Sequence, residues 1–184
     1  MALILVGVTM LNNAIEYRRE TPWCPGTQPA SVDFFKKTIT GKVVVLGPPS
    51  WRPVPQKFLE SSKPKGVTIL SRCVTLPHTN AFYGKLKQGA TKLALELSKN
   101  EDVYVVGGEQ MYNLFIAHAD EIRVARVRLM LWSGSNNSKH FSFFPEINRD
   151  EWELDHSYTY YTDGTPGTSN HWPTSFFRFT RKKK

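Results

Sequence analysis

The chain has 184 residues, 40% of them hydrophobic, and carries a formal net charge of +8 at pH 7. This length and apolar fraction are typical of a globular domain with a sizeable core and argue against a disordered protein. The sequence lacks a run of about 18 apolar residues, so we expect neither a membrane-spanning helix nor a membrane partner.

The remaining whole-chain features predict a cytoplasmic protein without a metal. Segment 1–10 has the β-branched content of a buried strand and no basic region before it, so we expect no signal peptide. Cys24 and Cys73 show neither disulfide nor metal spacing, which favours a reducing compartment, and the five histidines are scattered. The positive charge suits nucleic acid, a phosphorylated cofactor, a polyglutamylated substrate or simple solubility. No nucleic-acid motif accompanies it, so we do not expect nucleic acid as a partner.

The predicted elements alternate between strands and helices along the chain. Near-continuous apolar runs indicate strands that are buried on both faces, which favours a partly parallel sheet between helices. A polar excursion is expected at 132–140, and the last two strands are predicted to form an antiparallel hairpin. We therefore predict a single α/β domain over 1–184. The predicted strands are 2–10, 41–47, 66–71, 102–108, 121–129, 157–162 and 175–181, and the predicted helices are 30–40, 83–99 and 109–118.

One predicted strand ends in Gly107-Gly108, and a helix follows at once. Glycines at this point allow a ligand to approach the backbone closely, and the N–H groups that open a helix favour a phosphate. Two adjacent glycines also simply make a tight turn. Both interpretations stay open on this fragment alone.

Two more strand ends carry residues suited to phosphate. Gly47 is followed by two prolines and Ser50, and the strand over 66–71 ends in Ser71-Arg72. Arginine is well suited to bidentate phosphate recognition. Three such ends predict a nucleotide crevice at the carboxyl edge of the sheet. Neither the dinucleotide-binding glycine fingerprint nor a P-loop motif is present.

Taken in order, these fragments resemble the dihydrofolate reductase family over nearly the whole chain. The resemblance consists of "LILVGVT", "PW" before a helix with "FFKK", "VVVLGPPSW", "VTILSR", "VYVVGGEQMY", "DEIRVARV", "FFPE" and a closing hairpin. It implies a central, mostly parallel eight-stranded sheet and NADPH as the cofactor. It also implies hydride transfer to C6 of a pterin, with protonation at N5.

The resemblance assigns roles to individual positions. Catalytic positions would be Ser31, Trp23, which holds an ordered water, and Tyr112 near the nicotinamide. The substrate-binding positions would be Val6, Val8, Ser31, Phe35, Val54, Lys65 and Ala125. The cofactor-binding positions would be Gly7, Val8, Ile15, Gly47, Pro49, Ser50, Ser71, Arg72, Gly107, Gly108, Glu109, Gln110 and Met111.

The chain departs from the family pattern at the catalytic acid. The family's active-site carboxylate aligns with Ser31, and the threonine that bonds it aligns with Ala125. Asp33 lies two residues further on, about 200° around a helix, so it should point to solvent. Lys65 stands where the family has an arginine for the folate carboxylate, and Pro48 replaces a basic residue.

Three functions are compatible with this pattern. The first is NADPH-dependent reduction of dihydrofolate by a monomer acting on a small molecule. The second is a reductase of the same fold acting on another pterin or heterocycle, for which the altered acid site would be natural. The third is a non-catalytic descendant that binds a nucleotide, a protein or nucleic acid, which the missing carboxylate and positive charge favour.

Overall fold

A computed structural model describes residues 1–18, 20, 28–47, 59–70, 83–84, 95–96, 98–130, 140–160 and 172–183. The helices and strands whose bounds lie in this part of the chain follow one another as given next. In chain order they are β1 (Leu3–Thr9), β2 (Ala14–Tyr17), α1 (Pro29–Ile39), β3 (Val43–Leu46), β4 (Gly66–Leu70), β5 (Tyr83–Gly84), β6 (Val103–Val105), α2 (Glu109–Phe115), β7 (Glu121–Val127), β8 (Phe141–Phe143), β9 (Trp152–Tyr160) and β10 (Thr174–Arg181).

Eight of the strands form one mixed sheet in the order β5-β4-β3-β6-β1-β7-β10-β9. The six strands from β5 to β7 pair in parallel, whereas β7–β10 and β10–β9 pair antiparallel. The predicted eight-stranded α/β sheet with a C-terminal hairpin is therefore confirmed. Strands β2 and β8 form a separate two-stranded antiparallel sheet.

The two faces of the sheet carry separate apolar clusters, which explains the near-continuous hydrophobic runs of the central strands. On one face Ile4, Val44 and Tyr104 pack with Ile39 of α1. The other face contributes Leu5, Val105 and their neighbours, which pack with Met111 and Phe115 of α2. Because alternate residues of a strand point to opposite faces, both clusters draw on the same strands.

Helix α1 is amphipathic. It begins at Pro29, where the fixed backbone angle of proline suits a first turn, and its last turn carries Lys36 and Lys37, whose charge complements the helix dipole. Phe34 and Phe35 pack against the sheet, while Asp33 is exposed. The expectation that Asp33 points to solvent is confirmed.

Several predicted boundaries were wrong. Residues 83–84 form the short strand β5, although a helix was predicted from 83 to 99, because pairing with β4 decides the conformation there. Strand β9 starts at Trp152 rather than at 157. Its first half lies at the sheet edge and is rich in charged, exposed residues, so it carries no apolar signal. Strands β2 and β8 were not predicted. Most of the predicted excursion at 132–140 lies outside the described residues.

No helix in the described part of the chain is long and apolar enough to cross a bilayer.

Candidate active site

The carboxyl ends of β3 and β6 are joined at one edge of the sheet. The Gly47 N–H donates to the Gly107 carbonyl at 2.9 Å, and the Val106 N–H donates to the Val45 carbonyl at 2.9 Å. Gly107 has a φ of 120°, a conformation that side-chain-bearing residues rarely adopt, and its peptide bond to Gly108 is cis. Two of the three glycine-tipped or polar strand ends identified in the sequence therefore meet.

Helix α2 opens directly after this turn. Glu109 is half-buried and Gln110 exposed, so both remain available to a ligand at the edge. Met111 differs, because its side chain is buried in the core and its N–H donates to the Gly108 carbonyl at 2.8 Å. Met111 therefore holds the turn in place. The sequence predicted a contact between Met111 and a cofactor, but neither its side chain nor its N–H is free to make that contact.

Strands β1 and β7 are neighbours that pair in parallel, so their carboxyl ends point to the same end of the sheet as those of β3 and β6. Val6 pairs with Arg123 and Val8 with Ala125, and both Val6 and Ala125 are fully buried. A Cβ atom on Gly7 would lie 3.0 Å from the Phe144 ring. A side chain at position 7 would therefore crowd Phe144, which packs directly on the strand.

Tyr112 is a buried residue whose hydroxyl is committed to the backbone. It donates to the Val6 carbonyl at 2.8 Å, and its ring lies 4.5 Å from that of Phe144, in a cluster that includes Ile15. Burial, followed by the nearby charge of Glu16, raises the pKa of Tyr112 well above its ordinary value of 10.0. The phenol therefore fixes the position of β1 and holds its proton at physiological pH.

A Tyr112→Phe variant should lower the free energy of unfolding by about 1–2 kcal/mol, because it deprives the buried Val6 carbonyl of this donor. Urea denaturation measures the loss. Tyr158→Phe, at an exposed edge tyrosine, is the control and should change stability by less than about 0.5 kcal/mol. If Tyr112→Phe instead removed an ionisation from the pH–rate profile at unchanged stability, Tyr112 would be an acid rather than a positioning residue.

The first turn of α1 supplies a buried hydroxyl. Ser31 is 2% exposed, and its Oγ donates to the main-chain carbonyl of Gln28 at 2.8 Å. The hydroxyl proton is thereby used, so Ser31 offers only its lone pairs to a ligand. Phe35, one turn further on, is partly buried against the same sheet face as Val6.

Gln28 is a candidate site residue that the sequence did not single out. It is fully buried at the N-cap position of α1, and its Oε1 accepts a hydrogen bond from Thr174 Oγ1 at 3.2 Å. The signal available in the sequence was a polar residue immediately before Pro29. Polar residues are common at helix starts, so the sequence could not predict that Gln28 is buried against a distant strand.

Glu121 is the only buried acidic side chain among the described residues. Arg123 Nε donates to one of its carboxylate oxygens, and Arg178 Nη2 donates to the other at 2.9 Å. Glu121 begins β7, and Ala125 lies four residues further on, a distance of about 13 Å along a strand. This acid therefore has a structural role at the start of β7, where it pairs with two arginines.

Lys65, predicted to contact a substrate carboxylate, is largely exposed at 61% and forms an ion pair with Glu101 at 2.6 Å. A substrate carboxylate would have to compete with Glu101 for the ammonium group. A groove of about 240 Å³ lies between Thr38 of α1 and His156 and Tyr158 of β9, and none of the predicted site residues that the structure describes lines it.

Six of the predicted site residues lie outside the described part of the chain, so their roles stay predictions. They are Trp23, Pro49, Ser50, Val54, Ser71 and Arg72.

Comparison with known proteins identifies the family. A family model described as dihydrofolate reductase matches residues 2–181. The chain belongs to the dihydrofolate reductase family. Its similarity to individual members is low. A dihydrofolate reductase of Haemophilus influenzae is 22% identical over 155 residues, covering 84% of this chain and 86% of that protein. One of Neisseria gonorrhoeae is 28% identical over 129 residues, covering 67% and 68%.

A solved structure supports the fold. The chain superposes on a dihydrofolate reductase from Enterococcus faecalis, described as complexed with NADP(H) and RAB-propyl, with a TM-score of 0.74. The identity is 15%, and the match covers 99% of this chain and 97% of that one. Within the dihydrofolate reductase family, this chain is thus a divergent member whose α1 carries Ser31 in a buried position.

Proposed function

We propose that the protein reduces 7,8-dihydrofolate to tetrahydrofolate with NADPH. The observation that carries the proposal is the family match over residues 2–181, on a sheet whose edge joins Gly47 to Gly107. In the balanced reaction, C6 of the pterin gains a hydride, N5 gains a proton, and NADPH becomes NADP⁺.

The glycine-rich turn at the carboxyl ends of β3 and β6 suits the binding of NADPH. Gly47, Gly107 and Gly108 present backbone without side chains where a phosphate-bearing group would approach, and Glu109 and Gln110 open the adjacent helix. NADPH, when bound, supplies the hydride. Ser71 and Arg72 are proposed to hold its phosphate and adenosine end, on the resemblance alone.

The α1 side is proposed to hold the pterin. Val6, Val8 and Ala125 provide an apolar strand surface, and Phe35 packs on the same face. Ser31 accepts a hydrogen bond from the substrate through Oγ, but it supplies neither charge nor a proton. We therefore propose that the N5 proton comes from solvent and that the chemical step is slow.

Following NADPH absorbance with dihydrofolate tests this proposal. Consumption of NADPH that depends on dihydrofolate supports it. NADPH binding without turnover of dihydrofolate, but with turnover of another pterin, would assign the protein to the second function. Failure to bind NADPH would leave a non-catalytic role.

The rate of hydride transfer should rise as pH falls from about pH 8 to about pH 5. Without a buried acid at Ser31, the substrate must arrive already protonated at N5, so the rate should drop about tenfold per pH unit above the substrate's own pKa. Single-turnover measurement of NADPH oxidation gives the profile. A plateau set by a protein group near neutral pH would contradict the solvent-proton mechanism.

We also propose that the chain acts as one domain and as a cytoplasmic monomer on a small-molecule substrate. The edge strand β9 supports the monomeric state, because Glu153 and Asp155 are exposed there and charged edge strands discourage strand pairing between molecules. Light scattering after size-exclusion chromatography measures the oligomeric state, and a dimer at micromolar concentration would overturn the proposal.

A further inference from the structure

The groove of about 240 Å³ between α1 and the hairpin strands β9 and β10, which we call the α1–β9 groove, has no role in the proposed function. Phe34 and Thr38, four residues apart on one face of α1, form its helical wall. Ser31 and Phe35 form a neighbouring row, about 60° around the helix. The groove therefore adjoins the candidate active site through α1 but is lined by different residues.

The sheet supplies the floor of the groove as two cross-strand rows. In the first row Phe176 lies opposite Tyr158. In the second row Arg178 lies opposite Arg123 on one side and His156 on the other. Residues two apart in a strand point to the same face, so both rows face α1, and they are about 7 Å apart along the strands. One row is aromatic and the other is cationic.

The aromatic row is partly open to solvent. The Tyr158 ring stacks on that of Phe176 at 4.7 Å, with 20° between the ring planes, and the Phe34 ring lies 5.1 Å from Phe176. Phe176 is buried, whereas Tyr158 is 53% exposed. A flat ring in the groove would cover this exposed surface and make the offset or edge contacts that aromatic side chains favour.

The cationic row offers hydrogen-bond donors through Arg123. Its Nε donates to Glu121, and its Cζ lies 5.7 Å from the centre of the Tyr104 ring, so the guanidinium is held in place. Its two terminal nitrogens have no hydrogen-bond partner among the described residues, and the side chain is 30% exposed. Arg178 differs, because it pairs with both Glu121 and Asp155. Arg123 is therefore the group available to an acceptor.

Size and charge restrict the ligand. Sites for drug-sized ligands measure about 300–1,000 Å³, so this groove suits a molecule of a single ring. The two arginines of the cationic row are balanced by Glu121 and Asp155, which leaves no excess of positive charge for a polyanion such as nucleic acid. A single carboxylate, in contrast, matches the paired N–H groups of one guanidinium.

We propose that the α1–β9 groove binds a small aromatic carboxylate. The ring lies against the aromatic row, and the carboxylate accepts hydrogen bonds from both terminal nitrogens of Arg123. The spacing of about 7 Å between the rows suits such a ligand, because a carboxyl group attached directly to the ring reaches from one row towards the other. The site does not depend on the proposed function, since neither NADPH nor dihydrofolate takes part in it.

Ligand-observed NMR titration with sodium benzoate tests the proposal, without NADPH or dihydrofolate. Benzoate should bind with a dissociation constant in the millimolar range, as expected for a ligand of few atoms. Benzamide has the ring without the charge, and inorganic phosphate has charge without the ring. Each should bind about tenfold more weakly than benzoate, because charge-assisted hydrogen bonds and ring contacts are both required. Binding of either probe as tightly as benzoate, or no binding of benzoate, would overturn the proposal.

Variants at the two ends of the groove locate the ligand. Arg123→Gln should weaken benzoate binding about tenfold, and Tyr158→Ala about threefold through loss of ring contacts. Arg128→Gln is the matched control, because Arg128 is exposed just after β7 and does not line the groove, so it should leave the affinity unchanged. Circular dichroism melts establish that each variant is folded, and the exposed Tyr158 position decides the outcome if Arg123→Gln does not fold. Wild-type affinity in either folded groove variant would overturn the proposal.

Competition with folic acid separates this inference from the proposed function. Saturating folic acid should leave benzoate bound, because the two rows of α1 face different sites. Displacement of benzoate by folic acid would place it in the candidate active site and overturn the inference, while the proposed function would stand. Benzoate binding with the expected variant effects, in a protein that does not reduce dihydrofolate, would overturn the function and leave the groove site in place.

Discussion

A Ser31→Asp variant should reduce dihydrofolate faster than the wild type by roughly 10²–10⁴-fold at neutral pH, the range typical of a positioned acid–base group. Position 31 lies in the first turn of α1, where the helix dipole stabilises an anion, and it is 2% exposed, so the new carboxylate would be held close to the substrate.

Single-turnover NADPH oxidation measures this gain, with pH as the second variable. The added carboxylate should make the rate less sensitive to rising pH, because the bound substrate then no longer has to be protonated in solution. Dihydrofolate binding should also tighten, since a charge-assisted hydrogen bond contributes about 1.5–3 kcal/mol.

Asp33→Asn provides the matched control for the acid. Asp33 lies on the same helix but is exposed, so its neutralisation should leave the rate unchanged. A folded Ser31→Asp protein with no gain would show that position 31 does not face the substrate. A large loss of activity in Asp33→Asn would show that Asp33 is the acid after all.

Glu121→Gln should lower the free energy of unfolding at pH 7 by about 3 kcal/mol, near the lower end for breaking a buried ion pair. The carboxylate accepts from both Arg123 and Arg178, and the amide that replaces it satisfies them only in part. The lower end applies because both arginines are partly exposed and regain some hydration. Urea denaturation followed by fluorescence measures the change.

The effect should depend on pH in one direction. Burial raises the pKa of Glu121, but hydrogen bonds from Arg178 and Arg123 and their charges outweigh burial and hold the pKa below its ordinary value of 4.5. A lowered pKa in the folded state stabilises the fold above about pH 4.5, and this contribution is lost as pH falls through the folded-state pKa. The stability difference between wild type and Glu121→Gln should therefore shrink in acid.

Asp155→Asn is the control for Glu121, because Asp155 pairs with the same Arg178 at 3.2 Å. Both partners of that pair are about half exposed, at 45% and 48%, so its loss should cost less than about 1 kcal/mol. Equal costs for the two variants would contradict the view that burial decides the value of the Glu121 interaction.

The sequence determined the elements whose signals are local. Apolar runs such as 41–47 and 121–129 predicted buried strands because both faces of a central strand are covered, and an amphipathic stretch over 30–40 predicted α1. The helical spacing between Ser31 and Asp33 was enough to separate a buried hydroxyl from an exposed acid. The glycine pair after β6 was likewise visible as a turn.

Tertiary structure decided whatever depends on residues far apart in the chain. The hydrogen bond from Tyr112 to Val6 joins residues 106 positions apart, and that from Thr174 to Gln28 joins residues 146 positions apart. Neither residue type reveals its partner. Strand β5 exists only through pairing with β4, which overrides the local helical pattern. Burial of Glu121 between two arginines follows from strand register, because pairing of β7 with β10 sets Arg178 opposite Arg123, diagonally across from Glu121.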